Sequence, residues 1–479
     1  MNQVGERANI GLIGAIVAVA TIGGLLFGYD SGAVNGTQPG LRAAFALDDA
    51  GLGFTVGSLL IGCVVGAFFA GTLADRMGRR NVMRIAAVLF IGGALVQGIA
   101  HDHTIFVIAR IIGGIAVGAA SVLSPAYISE VAPANIRGRM TTVQQIMIIT
   151  GLTAAFFANY YLAQGAARPT VPGDVPSLNP LWFDIEAWRW MYLLQAVPAV
   201  VFLIALFFIP ESPRYLVSKR RNESATRVLT NLFGPTQGAL KLAEIQASFS
   251  TDHRPRLSDV LTPAGGRGFL GVRSIVWAGL LLAVFQQLVG INVIFYYGAT
   301  LWQAAGFSES EAMMTNIISG SISILACFVT VGLVDRIGRK PLLLIGSAGM
   351  AATLFAMVYA FSTGTLEAGT LVLPGDMGKV AVVAALAYSA FFNISWGPVM
   401  WVMLGEMFPN QIRGSALAVC GFAQWFANFL VAQSFPIMLG SIGLATSYTF
   451  YAVCAVISFF LVQKFIVETK GKELEAMEG

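Results

Sequence analysis

Long stretches without a charged side chain constrain the fold of this chain more than any other feature. Residues 52–73, 341–366 and 414–463 contain no Asp, Glu, Lys or Arg. A helix needs about 20 apolar residues to cross the hydrocarbon core of a bilayer. A soluble enzyme with a large apolar core would need shorter runs and about 25% charged residues, whereas this chain has 11%. The pattern predicts an all-α protein that crosses a membrane many times.

The apolar runs divide into twelve predicted transmembrane helices. The first is interpreted as a retained span and not a signal peptide, because it is long and contains Tyr29 and Asp30 instead of a small-residue cleavage site. The twelve spans are 10–34, 52–73, 81–100, 103–126, 140–163, 189–209, 270–299, 312–334, 341–361, 378–403, 413–438 and 445–466.

The distribution of basic residues predicts the orientation, since loops rich in Lys and Arg stay in the cytoplasm. Of the 29 Lys and Arg residues, all but Arg42, Arg110, Arg168, Arg189 and Lys379 fall on the side of the two termini. Both termini are therefore expected in the cytoplasm, with the chain in the inner (plasma) membrane. The net charge of +4 follows from this asymmetry and does not indicate nucleic-acid binding.

The Cys and His residues do not suggest catalysis or metal binding. The three histidines lie in a predicted outer loop and in the segment between the halves, away from any nucleophile–base pair. The cysteines all fall in predicted spans without CxxC spacing, which favours small buried apolar residues. We expect no enzyme activity, no metal and no cofactor. These residues are Cys63, Cys327, Cys420, Cys454, His101, His103 and His253.

Three pairs of motifs recur in the same order, which indicates a duplicated six-helix half. Asp75–Arg80 (DRMGRR) corresponds to Asp335–Lys340 (DRIGRK). Glu130, Pro133, Arg137 and Gly138 correspond to Glu406, Pro409, Arg413 and Gly414, and Pro210–Arg214 (PESPR) corresponds loosely to Val467–Gly471 (VETKG). The predicted units are an N-terminal bundle at 1–210, a cytoplasmic helical linker at 211–268, a C-terminal bundle at 269–466 and a short tail at 467–479.

The polar segments between the spans have distinct patterns. Two amphipathic stretches, 222–233 and 238–249, predict helices in the linker. Four prolines predict an irregular outer loop at 164–188. The Gly- and Thr-rich segment near 362–379 is predicted to be an outer loop that accommodates extra residues of the second half. Trp182, Trp188 and Trp190 are interpreted as an aromatic belt at the outer membrane interface.

Charged residues of the repeated motifs are predicted to form a cytoplasmic gate. They lie at the inner ends of neighbouring spans, where ion pairs could close the inner face when the protein opens outward. The alternative is that the basic residues only anchor short loops in the cytoplasm. The predicted gate residues are Asp75, Arg79, Glu130, Arg137, Glu211, Arg214, Asp335, Arg339, Glu406 and Arg413.

Uncharged amides in the seventh span predict a binding site for a polyhydroxylated ligand. Gln286, Gln287 and Asn292 lie within seven residues, and Tyr296 follows one turn later. On an unbroken helix Gln287 and Asn292 would diverge by about 140°, so Gly290 between them predicts an interruption that lets both face one cavity. The alternative is that these amides only join helices by hydrogen bonds.

Nine motifs in register make the chain resemble the sugar porter family of the major facilitator superfamily. The resemblance implies the major facilitator fold, alternating access and a monosaccharide site at mid-membrane between the halves. The motifs are GGLLFGYD (23–30), DRMGRR (75–80), RIIGG (110–114), PESPR (210–214), QQLVGIN (286–292), FYYG (295–298), DRIGRK (335–340), GPVMW (397–401) and AQW (423–425).

Position by position, the resemblance implies a set of sugar contacts. Gly397 and Trp401 are one helical turn apart, so the small residue is expected to leave room beside the indole, and Pro398 to break that helix. Leu152 and Ser323 stand where some relatives have polar contacts, which leaves the choice among hexose, pentose and inositol-like polyol open. The implied contacts are Phe27, Gln145, Gln286, Gln287, Asn292, Tyr296, Phe392, Gly397, Trp401, Gln424 and Trp425.

Asp30 in the first span is predicted to couple transport to protons. A carboxylate inside a membrane is costly and marks a functional site, and Arg110 in the fourth span is its expected partner. The alternative is a permanent Asp30–Arg110 ion pair that only braces the first half. The predicted function is import of a monosaccharide, favouring a hexose such as glucose, with a proton as coupling ion.

Other functions stay open at the level of sequence. They are a passive sugar uniporter, transport of a pentose such as xylose or of inositol, and, more remotely, a nutrient sensor on a transporter scaffold. A sensor would be expected to carry a long signalling tail, which is not seen here. The expected partners are the sugar, a proton and the lipid bilayer, with the protein acting as a monomer.

Overall fold

The computed structural model describes residues 8–133, 137–168, 174–251, 260–262, 268–367, 370–409 and 412–470. The first half contains α1 Ile10–Phe45, α2 Asp49–Met77, α3 Arg79–Ile99, α4 His103–Val131, α5 Arg137–Ala166, α6 Ala187–Leu193 and α7 Ala196–Ala205. The linker contains α8 Pro213–Ser218, α9 Asn222–Phe233 and α10 Pro235–Thr251. The second half contains α11 Ser274–Leu288, α12 Ile291–Ala304, α13 Glu309–Ile337, α14 Arg339–Ser362, α15 Met377–Ile394, α16 Trp396–Met407 and α17 Arg413–Phe465.

Two short antiparallel ribbons accompany the helices. The ribbon of β1 Gly268–Phe269 and β2 Val272–Arg273 precedes α11. The ribbon of β3 Thr365–Glu367 and β4 Thr370–Val372 lies in the predicted outer loop near 362–379.

Twelve helical crossings account for the predicted spans. The described residues contain 11 segments long and apolar enough to cross a membrane, with α6–α7, α11–α12 and α15–α16 each forming one segment. The last segment, α17, has 53 residues, and an unbroken helix of that length would measure about 80 Å. Gly443, at φ 79° and ψ 173°, divides it into two helices. The division agrees with the two predicted spans 413–438 and 445–466, and the chain is a multi-pass membrane protein.

An even number of crossings places the first and last described residues on one face of the molecule. This termini face, which carries residues 8–9, 466–470 and helices α8–α10, is fixed by contacts such as the amide of Asn9 donating to the carbonyl oxygen of Leu232 at 2.9 Å. The opposite face, called the far face, carries the described connections at 46–48, 167–168, 174–186, 305–308, 363–367 and 370–376. The predicted linker helix 222–233 is confirmed by α9, while the second linker helix begins earlier than predicted, at Pro235.

Glycines spaced every four residues allow α1 to pack directly against α5. A Cβ atom at Gly28 would lie 1.8 Å from the carbonyl oxygen of Ile148, and one at Gly32 would lie 2.6 Å from that of Leu152. Because no side chain fits there, the two backbones approach closely, as small residues permit between membrane helices. The α1 residues that follow are therefore held at fixed positions relative to α5.

Two predictions about the far face are wrong. The first helix continues beyond residue 34 to Phe45, because the polar side chains of Asn35 and Gln38 hydrogen-bond to another helix and do not enter a loop. Trp188 is not an interface residue: its side chain is 1% exposed. It packs against Gly40, where a Cβ atom would lie 2.2 Å from the indole.

Candidate functional site

The seventh crossing is interrupted at Gly290, as the sequence predicts. Helix α11 ends at Leu288, and Gly290 adopts a left-handed conformation at φ 88° and ψ 16°. A Cβ atom at Gly290 would lie 2.7 Å from the ring of Tyr451. Both the backbone angle and the packing therefore require glycine.

The amides on both sides of this break form one connected chain of hydrogen bonds. Asn292 Nδ2 donates to Gln287 Oε1 at 2.5 Å, and Gln287 Nε2 donates to Gln286 Oε1 at 3.0 Å. Gln424 Nε2 from α17 donates to the same Gln286 oxygen at 3.3 Å. The cluster carries no formal charge, and its donors and acceptors are of the kind that match sugar hydroxyls.

Asn428 is a member of this cluster that the sequence prediction missed. It accepts a hydrogen bond from Asn292 at 2.8 Å and donates to the Tyr296 hydroxyl at 3.1 Å. The available signal is its position four residues after Gln424, which places both on one face of α17. Gln424 is 6% exposed, and its Oε1 has no hydrogen-bond partner among the described residues.

The tenth crossing is also interrupted, but not where the sequence predicts. The break lies at Ser395, with φ −127° and ψ −90°, three residues before Pro398. Proline has no N–H group, so the carbonyl four residues earlier, at Ile394, has no helical donor. The Thr330 hydroxyl from α13 donates to that oxygen at 2.9 Å and to the Asn393 oxygen at 3.0 Å.

Aromatic side chains of the predicted site come from both halves. The Phe27 and Trp425 rings meet edge to face with centroids 5.2 Å apart. Phe392 is buried, and a Cβ atom at Gly397 would lie 3.2 Å from its ring. Gly397 thus leaves room for the Phe392 ring, and the predicted room beside the Trp401 indole stays a prediction.

The remaining predicted contacts are less enclosed. Trp401 is 40% exposed and Gln145 is half-buried, whereas its neighbour Gln144 is buried.

Gln286 also donates weakly to the Trp396 carbonyl at 3.3 Å, which connects the amide cluster to the start of α16.

Asp30 and Arg110 form an ion pair in the interior of the first half. The two guanidinium NH₂ groups lie 3.4 Å from the two carboxylate oxygens, and each side chain is 1% exposed. Arg110 also donates to Gln97 Oε1 at 3.3 Å and to the Val56 carbonyl at 3.2 Å. The guanidinium therefore has neutral acceptors in addition to the carboxylate.

The predicted gate residues of the first half form a network at the termini face. Arg79 lies 3.0 Å from Asp75 and 3.2 Å from Glu130. Ser212 donates a short hydrogen bond to Glu130, and Arg214 interacts electrostatically with the same carboxylate. The side chain of Arg137 lies outside the described part of the chain.

The second half repeats this network. Arg339 lies 3.1 Å from Asp335 and 2.8 Å from Glu406, and Thr469 donates to Glu406 at 2.6 Å. Arg413 donates to the Phe408 carbonyl at 3.1 Å. These ion pairs each join helices of one half, so in this conformation they brace the halves separately. Their role as a gate stays a prediction.

Equivalent glutamates cap α3 and α14 at the termini face. Glu211 Oε1 accepts from the Arg80 amide at 3.2 Å, and Glu468 accepts from the amides of Arg339 and Lys340 at 3.0 and 2.9 Å. The glycine before each helix has a positive φ. The loosely matching third motif pair therefore corresponds to a repeated structural contact.

Interrupted crossings beside an uncharged amide cluster, together with a buried carboxylate, are typical of a membrane transporter. The repeated networks at the termini face indicate that it is built from two repeated halves. The chain matches the family model described as "Sugar (and other) transporter" over residues 16–479, and it belongs to that family. Its relatives are transporters, so the protein is a transporter and not an enzyme.

Named relatives match along nearly the whole chain. The glucose transport protein of Synechocystis sp. is 43% identical over 472 residues, covering 98% of each chain. The D-xylose-proton symporter of Escherichia coli is 38% identical over 503 residues, covering 98% of this chain and 96% of the relative. A partially occluded inward-open structure of the E. coli xylose transporter XylE superposes with a TM-score of 0.80 at 36% identity, covering 97% of this chain and 100% of that one. The fold is therefore that of the major facilitator superfamily.

Proposed function

We propose that this protein imports a monosaccharide together with a proton by alternating access, with a hexose such as glucose as the favoured substrate. The observation that carries the proposal is the uncharged amide cluster around Gly290, combined with the buried Asp30–Arg110 pair in the other half. The similar proteins named for glucose and for D-xylose with a proton support both parts.

The amide cluster suits a ligand that is rich in hydroxyl groups. The amides of the cluster hydrogen-bond to one another, from Gln286 through Gln287 and Asn292 to Asn428. A sugar would replace these bonds with hydrogen bonds of similar strength, while Phe27 and Trp425 would cover its apolar ring face. A charged substrate would have no counter-ion among these side chains.

The surroundings of Arg110 support proton exchange at Asp30. Protonation of the carboxylate removes one partner of the ion pair and would leave Arg110 buried and positively charged. Gln97 and the Val56 carbonyl still accept its hydrogen bonds, so the guanidinium keeps partners in both protonation states. Protonation is therefore compatible with a folded half.

A passive uniporter is the second candidate, because Asp30 and Arg110 are paired and fully buried in this structure. A pair that never opens would brace the half without binding a proton in each cycle. A pentose or a polyol is the alternative substrate class, supported by the 36% identity to the major myo-inositol transporter of Bacillus subtilis.

Uptake by reconstituted vesicles tests both parts of the proposal. Labelled glucose, galactose, xylose, fructose and inositol are supplied one at a time, with and without an inward proton gradient. We expect one monosaccharide to accumulate against its own gradient only when the proton gradient is present. Equal final concentrations of sugar inside the vesicles under both conditions would establish a uniporter. Binding of the sugar without its transport would establish a sensor.

We also propose that the protein works as a monomer in the cytoplasmic membrane, with the termini face inside the cell and without a cofactor. The termini face carries basic side chains of the repeated motifs, such as Arg79, Arg80 and Arg339, as the positive-inside rule requires. Protease accessibility of a C-terminal tag in right-side-out vesicles tests the orientation. Cleavage by protease added outside would show that the termini face lies outside the cell.

A further inference from the structure

Two amides of α1 make buried hydrogen bonds to the backbone of α12 in the other half. Asn35 Nδ2 donates to the carbonyl oxygens of Phe295 at 2.8 Å and Ile294 at 3.2 Å. Asn35 Oδ1 accepts from the backbone amide of Ala299 at 3.0 Å. The side chain is 1% exposed, so these bonds form away from water.

The groups that Asn35 contacts are the two ends of one helical turn. In an α-helix the carbonyl of residue 295 is the acceptor for the amide of residue 299. Asn35 offers the carbonyl an alternative donor and the amide an alternative acceptor. Its carboxamide thus binds the backbone of α12 at a single turn.

Gln38 repeats this arrangement one turn along α1. Its Nε2 donates to the Tyr296 carbonyl at 2.5 Å, and its Oε1 accepts a short hydrogen bond from the Thr300 hydroxyl. Residues 296 and 300 are again four apart. Three consecutive carbonyls of α12, at residues 294, 295 and 296, therefore accept hydrogen bonds from α1 side chains.

Gly298 makes this contact possible. Asn316 of α13 donates to Asn35 Oδ1 at 2.8 Å, so two amides meet beside α12. A Cβ atom at residue 298 would lie 2.4 Å from Asn316 Oδ1 and 3.1 Å from Asn35 Nδ2. The glycine of the FYYG motif leaves the space that the two amides occupy.

We propose that Asn35 is a positioning residue of the transport cycle, which holds α12 against α1 when the far face is closed and releases it when that face opens. The proposal rests on alternating access, as part of the proposed function, but not on which sugar or ion is carried. Asn292 and Tyr296 of the amide cluster belong to α12. The contact therefore links the candidate binding site to the closure of the far face.

Amides suit a contact that must open and close repeatedly. When the halves separate at the far face, water can enter and replace each hydrogen bond. Apolar side chains at the same positions would instead be exposed to water at a cost proportional to their area. The buried polar surface thus allows closure to be reversible.

The test is the distance between the halves at the far face, measured by electron paramagnetic resonance. Spin labels are attached to cysteines introduced at Asp184 and Lys379, both exposed and in different halves. The four native cysteines are buried. The full chain is measured in lipid nanodiscs without sugar or a proton gradient, so failure of the uptake assay would not affect this result.

The variants are Asn35→Ala and Gln38→Ala, with Asn159→Ala as the matched control. Asn159 is also a buried amide that donates to an α1 carbonyl, that of Gly32 at 2.8 Å, but within its own half. We expect N35A to raise the ratio of long to short distances about tenfold, equivalent to about 1.4 kcal/mol, and Q38A to act in the same direction. N159A should leave the ratio unchanged.

Distance distributions of N35A that match those of N159A would overturn the proposal. If N35A is not monodisperse in size-exclusion chromatography, Q38A provides the test on the same criterion. An equal increase in all three variants would also contradict it, because it would show general loosening of α1 and no specific release of α12.

Discussion

At the scale of single residues, the central feature is the ion pair of Asp30 with Arg110. Moving two charges out of water usually costs more free energy than their attraction restores, unless further hydrogen bonds satisfy the remaining donors. Gln97 and the Val56 carbonyl provide such bonds to Arg110. The site can therefore tolerate a change of charge on the carboxylate, which a simple structural ion pair does not require.

Replacing Asp30 with Asn mimics the protonated state without allowing proton release. We expect Asp30→Asn to lower proton-driven accumulation of the sugar at least tenfold, while exchange of labelled for unlabelled sugar continues. The two rates are measured in the same vesicle preparation. Asp376→Asn is the control, because Asp376 is exposed and pairs only with Lys379 among the contacts described. Full accumulation by D30N would show that Asp30 does not carry the proton.

At the scale of helices, the breaks at Gly290 and Ser395 have different origins. Gly290 is required locally, by its left-handed conformation and by the Tyr451 ring. At the Ser395 break, Pro398 has no N–H to donate to the Ile394 carbonyl, and the Thr330 hydroxyl of another helix donates to it instead. Two crossings are thus interrupted for separate physical reasons.

A side chain at Gly290 should destabilise the protein. The left-handed conformation costs a non-glycine residue roughly 1–2 kcal/mol, and the contact with Tyr451 adds to this. We expect Gly290→Ala to lower the thermal unfolding temperature and to weaken sugar binding, because Asn292 would be displaced. Gly421→Ala in α17 is the control, since nothing lies within 4 Å of its Cβ position. Equal melting temperatures for the two variants would contradict this account.

The cap of α14 predicts a pH dependence. Partial burial raises the pKa of Glu468, but the backbone N–H groups of Lys470, Arg339, Lys340 and Thr469 outweigh it and hold the pKa below its usual range. A carboxylate with a depressed pKa stabilises the folded state above its unfolded pKa, and this contribution is lost as the pH falls through the folded value.

We therefore expect Glu468→Gln to melt at a lower temperature than the wild type near pH 7. The difference should shrink as the pH falls below about 4.5, the ordinary range of a glutamate. Melting curves of both proteins over this range in the same detergent measure the effect. Asp376→Asn again serves as the control, with no pH-dependent difference expected. A constant difference between E468Q and wild type at every pH would rule out this role of the carboxylate.

The sequence predicts what depends on nearby residues and misses what depends on distant ones. The break in the seventh crossing was predicted from Gly290, and the division of 413–466 into two spans was predicted from its length. The structure has both features. The continuation of α1 to Phe45 was missed because Asn35 and Gln38 find partners some 260 residues away in the chain. Asn428 was missed because its role depends on the meeting of α12 and α17.

At the scale of the whole molecule, the two halves share one scaffold but contain different functional sites. Both carry the arginine–glutamate network and the glutamate cap at the termini face. The amide cluster belongs to the second half, whereas the buried ion pair belongs to the first. Coupling between sugar and proton must therefore pass between the halves, through contacts such as Phe27 with Trp425 and Asn35 with α12.

Transport of a neutral sugar with one proton would move one positive charge per cycle, so the membrane potential should drive it. Each charge gains about 2.3 kcal/mol per 100 mV, and about 1.4 kcal/mol corresponds to a tenfold ratio. A potential of about 100 mV, negative inside, should therefore support roughly fortyfold accumulation at equal pH. Vesicles with a potassium gradient and valinomycin provide this potential, and labelled sugar reports the ratio. Reversing the potential should expel the sugar from loaded vesicles, and D30N should respond to neither sign. Sugar that only equilibrates at either potential, in vesicles that still exchange it, would identify the protein as a passive uniporter.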